Sequence, residues 1–126
     1  MSLSTWMRKY YKQEAVSVLK RNALEHSILK WTGLLKKNLK EHHLVVDGRG
    51  IVDKRYNRFV VDDRSCALCI HYEDAGCGDC PLFKVLGNRR CDDNFSDGTI
   101  SPYRSWVWGG MAKPMLMWLK RARKVK

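Results

Sequence analysis

Two Cys-x-x-Cys pairs, Cys66-Ala67-Leu68-Cys69 and Cys77-Gly78-Asp79-Cys80, stand seven residues apart, and Cys91 follows ten residues after the second. A Cys-x-x-Cys turn lets two thiolates converge on one tetrahedral cation while nearby backbone N–H groups donate to the sulfurs. Two such turns supply a closed four-sulfur set, so Cys66, Cys69, Cys77 and Cys80 are the expected ligands of a Zn²⁺ ion. Cys91 is a possible substitute for one of them, and His71 competes from two residues beyond Cys69, against the blander reading of a surface or packed histidine. Tetrahedral thiolate sites also accept an iron-sulfur cluster. Cys80-Pro81 is similar to the end of ferredoxin-type motifs, but the compact ferredoxin run is absent, which favours zinc. Four thiolates leave no open coordination position and describe a structural site. Binding of that kind contributes on the order of 10 kcal/mol to folding, enough for a loop-rich segment with few aliphatic residues to hold one shape.

The chain has 126 residues, the length of one domain. Its formal charge of +11 is unevenly spread. Residues 1–43 carry nine Lys and Arg against three acidic residues, residues 44–98 carry eight against ten, and residues 99–126 carry seven against none. The expected organisation is therefore a single domain, residues 1–126, in three parts: a helical arm (1–43), a hairpin with a four-cysteine metal-binding module (44–98), and a loop with a basic C-terminal helix (99–126). No stretch has the length and apolar character of a bilayer span, and Met1 to Glu14 lacks the apolar core of a signal peptide. The expected compartment is the cytoplasm, a reducing setting in which clustered cysteines serve metals more often than disulfides. The odd cysteine count agrees.

In the first part Leu24, Ile28, Trp31, Leu35 and Leu39 recur at steps of four, three, four and four, one face of a 3.6-residue period, with Leu34 beside them. Lys30, Lys36, Lys37 and Lys40 then fall largely toward the other side. Upstream, Trp6, Tyr10, Ala15 or Val16, and Leu19 form a weaker stripe, and Asn22 with Glu25 has the spacing of a capping box. Two consecutive helices, or one long bent helix, are expected, with Gly33 an unfavourable helical residue by about 1 kcal/mol. Leu44-Val45-Val46, Ile51-Val52 and Arg58 to Val61, divided by Asp47-Gly48, predict a short β-hairpin or three short strands. Asp92 to Pro102 is rich in turn residues and predicts loop. A last helix starts near Pro114 with Met115, Leu116, Leu119 and Ala122 on one side and Lys120, Arg121, Arg123, Lys124 and Lys126 at its end. The fold class is α+β, mainly α: an N-terminal helix pair, a short hairpin, a cysteine-rich loop region like a zinc knuckle, and a basic C-terminal helix. His42 and His43, adjacent at a helix end, are expected to be exposed rather than chelating.

Cys66-Ala67-Leu68-Cys69, Cys77, Cys80-Pro81-Leu82, Gly87, Cys91, and Ser101-Pro102-Tyr103 with Trp106 form a pattern. It resembles a group of small, uncharacterised cysteine-rich proteins of bacteriophages and prophages. Ser27 to Trp31 and Pro114-Met115-Leu116 are also similar to that group, so the likeness runs discontinuously over residues 24–119. The gap between Cys91 and Ser101 is longer, and the last helix more basic, than in the group. The resemblance implies a phage-encoded accessory protein working in a bacterial cytoplasm.

Three functions compete. The first is a zinc-stabilised protein that binds nucleic acid with low sequence specificity. Arg8, Lys9, Lys12, Lys20, Arg21, Lys36, Lys37, Lys40, Lys120, Arg121, Arg123 and Lys124 are its candidate phosphate contacts, and Tyr10, Tyr11, Trp106 and Trp108 its candidate stacking groups. Trp31 and Trp118 read as core. No sequence-reading motif is present, so contacts to phosphate dominate. The second is an interaction protein that inhibits a host or defence protein, such as a nuclease or polymerase, by occupying a nucleic-acid channel or an acidic surface. The third, a metal-dependent nuclease using Asp62-Asp63, Asp92-Asp93, His42, His43 or His71, lacks a defining spacing, so no enzyme activity is expected. A thiol-redox role lacks its βαβ setting. Met115, Leu116, Trp118 and Leu119 beside five cations also fit an interfacial amphipathic helix, for which core packing is the simpler account.

Overall fold

The computed structural model describes residues 3–62, 65–72, 80–87, 91 and 101–125. Cys77, Asp63, Asp92, Asp93, most of the predicted 92–102 loop and Lys126 lie outside them. The architecture is α+β and mainly helical. Helices α1 (Leu3–Tyr10), α2 (Ala23–Gly33) and α3 (Lys36–Glu41) precede an antiparallel sheet of β1 (Val45–Asp47), β2 (Gly50–Val52) and β3 (Arg58–Val60) in that order. Short helices α4 (Ala67–Tyr72), α5 (Pro81–Val85) and α6 (Pro102–Gly109) lead to α7 (Lys113–Val125). Among the described residues no helix is long and apolar enough to cross a membrane.

Helix α2 lies at the centre, packed by α1, α4 and α7. Its predicted stripe is buried at Leu24, Ile28 and Trp31, and Leu34 and Leu39 continue it. The stripe spans a break. Leu35 is extended (φ −61°, ψ 143°), which divides α2 from α3. The N-terminal arm is therefore three helices rather than a pair. Residues 15–17 and 20–22 form 3₁₀ turns, which leave Val16 and Leu19 exposed while Ala15 is buried. Asn22 occupies the N-cap of α2, but its side chain makes no capping bond, because the preceding turn runs directly into the helix and Ala23 N–H donates to Lys20 O.

Gly33 is where α1 crosses α2. A Cβ there would lie 2.6 Å from Tyr10 Cβ and closer still to its ring, and Trp6 Nε1 donates to Gly33 O at 2.8 Å. The helical glycine is thus required by close approach. The sheet meets α1 through Phe59. Val46 pairs with Ile51 and Ile51 with Phe59, so Ile51 and Phe59 point inward while Arg58 and Val60 point out. The Phe59 ring meets Trp6 at 5.4 Å and Tyr11 at 4.7 Å between centroids.

The cysteine-rich region is not purely loop: α4 packs on α2, and α5 packs on α7. Helix α6 begins at Pro102, the last residue of the predicted loop, and ends where Gly110 takes a left-handed conformation (φ 66°) with its N–H on Trp106 O. Trp106 packs edge-on against Trp31 at 5.6 Å. Helix α7 buries Met115, Leu116, Leu119 and Ala122, the side predicted.

Gly33→Ala is expected to lower stability by about 1–3 kcal/mol through overpacking, outweighing the gain in helix propensity. An unchanged or raised thermal midpoint would contradict the crossing.

Candidate functional site: a basic groove and a buried lysine among thiols

The β2–β3 turn is organised by one carboxylate. Asp53 Oδ1 accepts from Arg55 N at 2.9 Å and Asn57 N at 3.0 Å, while Oδ2 accepts from Asn57 Nδ2 at 3.1 Å and from Leu3 N, at the start of α1, at 3.4 Å. Burial opposes its charge, but these donors together hold the Asp53 carboxyl below its usual range. The turn is thereby fastened to α1, and a groove of about 1000 Å³ runs between them. Arg8, Tyr11 and Lys12 line one wall, and Asp53, Lys54 and Arg55 the other. Arg8, Lys12, Lys54 and Arg55 are exposed, and among the described residues none of them is within ion-pair distance of a carboxylate. A second groove of about 500 Å³ is lined by Lys36, Lys40, His43, Val45 and Val46, and Lys54 borders both.

The fold thus brings Arg8, Lys12, Lys36 and Lys40 to adjoining surfaces, and Lys9 to a shallow hollow beside Arg8 and Lys12. Lys37 is exposed but lines neither groove. Lys120, Arg121, Arg123 and Lys124 are exposed on α7 and line neither groove, and Arg123 pairs with Glu25 at 3.4 Å. Three candidate stacking aromatics are core residues instead. Tyr10 is clamped at Gly33, Tyr11 accepts Ala15 N–H through its hydroxyl, and Trp106 is fully buried. Trp108 is 64% exposed, with Arg104 5.3 Å from its ring, and Trp118 is half-buried under Arg121. Lys54 and Arg55 escape the charge count because they sit in the net-acidic middle segment.

Lys30, expected on a solvated face, is 1% exposed. Its burial has a simple cause: α2 is enclosed on several sides, and Ala23, Ser27, Lys30 and Leu34 form a second buried stripe along it. Lys30 Nζ donates to Ser65 O at 3.0 Å. Burial lowers its pKa, opposed by the Cys66, Cys69 and Cys91 sulfurs and the Asp62 carboxylate. Cys66 is driven from 9.0 to about 5, first by a hydrogen bond with Cys69, then by the Lys30 charge and Cys69 N–H, against its own burial. That N–H donates to Cys66 Sγ at 3.4 Å, and the buried Ser27 hydroxyl, with no other partner among the described residues, faces the same sulfur.

Cys66 and Cys69 therefore have the knuckle form that suits a thiophilic cation, and the thiolate it needs. Among the described residues no three His, Cys, Asp or Glu side chains converge closely enough to hold a metal ion. Cys80 is buried at the N-cap of α5, and Cys91 is half-buried, its carbonyl accepting from Tyr103 N. His71 Nε2 donates to Val18 O. His42 is buried rather than exposed, because it caps α3 from beneath with Nδ1 donating to Asn38 O at 2.9 Å and Tyr10 edge-on to its ring. His43 is exposed, as expected. Compared with protein-family models, curated proteins and solved structures, the chain matches none.

The Cys66 shift carries a sign. Between about pH 5 and pH 9.0 the unfolded chain holds a proton on Cys66 that the folded chain has released, so stability rises with pH across that window and the contribution is lost as pH falls through about 5. The lowered Lys30 pKa acts in the same direction over its own range, since the unfolded chain keeps that proton up to 10.5. In reduced, metal-free protein, Lys30→Met is expected to move the alkylation midpoint of Cys66 upward from about 5. A pH profile of iodoacetamide reactivity that does not move would show the ammonium to be irrelevant to the thiol.

Proposed function

We propose that the protein binds nucleic acid with low sequence specificity through the groove between α1 and the β2–β3 turn. The observation that carries this reading is the facing of Arg8 and Lys12 by Lys54 and Arg55, four exposed cations from two elements brought to one concavity and free of carboxylate partners among the described residues. Opposed cations displace condensed counterions from a phosphate backbone, which yields affinity without base readout. The adjoining Lys36 and Lys40 extend the track. In this reading the protein is an accessory factor of the bacteriophage kind, and catalysis has no part in its action.

The same reading gives the cysteine region a structural Zn²⁺ ion. The Cys66–Cys69 knuckle would supply two sulfurs and Cys77 and Cys80 the other two, with Cys91 the substitute for one of the four. When bound, the ion supplies cross-linking rather than chemistry. Lys30 then serves as the buried counter-charge of the thiolates.

Binding to a short duplex is expected to weaken linearly in log–log terms with salt, with a slope near −0.9 per phosphate contacted. Arg8→Glu with Lys12→Glu should make the slope shallower by about 2 and reduce affinity at low salt. Affinity that is independent of salt, or unaffected by the double reversal, would redirect attention to a protein partner. Metal analysis should find about one zinc per chain, and strong chelation should lower the thermal midpoint; a metal-free protein with unchanged melting would remove the zinc.

A further inference from the structure

The tip of the β2–β3 turn carries an outlier that the phosphate reading leaves unused. Tyr56 has φ 65° and is 88% exposed, the most exposed large apolar side chain among the described residues. Left-handed backbone at a bulky aromatic residue is rare, and Gly or Asn is the usual occupant of such a turn position. Asn57, the next residue, is of the tolerant type, yet the tyrosine takes the strained place. The surrounding hydrogen bonds impose it. Tyr56 N donates to Asp53 O at 3.0 Å and Asp53 N to Asn57 O at 3.1 Å, while the Asp53 carboxylate holds Arg55 and Asn57. Nothing in that network needs an aromatic ring. Strain held by an over-determined turn, on a side chain left in water, is the pattern of a functional position.

Its neighbours say for what. Lys54 and Arg55, the two residues before it, form one wall of the basic groove, and Arg58, two residues after it, lies on the exposed face of β3, paired with Asp47 at 3.2 Å. Tyr56 does not itself line the groove, but Arg55 and Asn57 on either side of it do, so its exposed ring stands next to the cationic wall, as in the stacking platforms of single-strand binders, in which bases stack on the ring while cations follow the phosphates. In a duplex the base faces are already covered by their neighbours and unavailable to a ring.

We infer that Tyr56 stacks on an unpaired base, so that the groove takes single-stranded in preference to duplex nucleic acid. The inference rests on the nucleic-acid reading and deepens it.

The test uses the full chain, an oligothymidine of about twelve nucleotides and a duplex of equal length, at one salt concentration. Wild type should prefer the single strand. Tyr56→Ala should weaken oligothymidine binding about tenfold, the effect of losing one stacked base, and change duplex binding less than about twofold, with Tyr56→Phe close to wild type on both. Tyr56→Asn relieves the backbone and should raise the thermal midpoint while losing the same affinity; stability and binding moving in opposite directions is a result that a structural role for the ring does not produce. Equal oligothymidine affinity in wild type and Tyr56→Ala, alongside loss of binding in the Arg8→Glu, Lys12→Glu variant, overturns the stacking inference and leaves the phosphate groove standing. Absence of binding to either probe by wild type overturns both.

Discussion

The approach of α1 to α2 at Gly33 is the contact on which the other layers depend. With no Cβ at that position, the Tyr10 ring lies against the α2 backbone and the Trp6 indole reaches the Gly33 carbonyl. The same two aromatics then serve the next layer outward, Trp6 by packing on Phe59 of the sheet and Tyr10 by covering His42 at the end of α3. One close approach therefore places the sheet on α1, and with it the β2–β3 turn opposite Arg8 and Lys12. The groove is a product of that stacking order.

The elements legible in the sequence are those whose apolar pattern runs long enough to declare a period. The stripe from Leu24 to Leu39, apart from the half-buried Leu35, and the side of α7 bearing Met115 to Ala122 match what is buried, and the apolar runs around Ile51 and Phe59 form strands. The short helices α4, α5 and α6 do not declare themselves, because five to eight residues give at most two turns and helices that short owe their existence to the partner they pack on. Trp106 shows the limit well. Its neighbours Arg104 and Trp108 suggest a charged, stacking surface, whereas Pro102 and Gly110 bracket a helix that turns this ring into the core.

The candidate site is half legible. Arg8, Lys12, Lys36 and Lys40 stand out by charge density, but their convergence depends on which surfaces the sheet brings alongside them. Lys54 and Arg55 are hidden by the acidic residues that share their segment. Lys30 is misplaced for a related reason: helical periodicity assigns one buried face, and α2 has neighbours on more than one side. A lysine on a second uncharged stripe, Ala23 and Ser27 with Leu34 just past the helix end, is a signal that the wheel contains once a central helix is considered.

Asp53 ties Leu3 N on one wall of the groove and Arg55 N on the other to opposite oxygens of a single carboxylate. The separation of the two cationic rows is therefore gauged by one side chain, as a rivet sets the opening of a pair of jaws. Chemistry acting on that rivet would alter how far apart the positive charges stand while leaving their number unchanged.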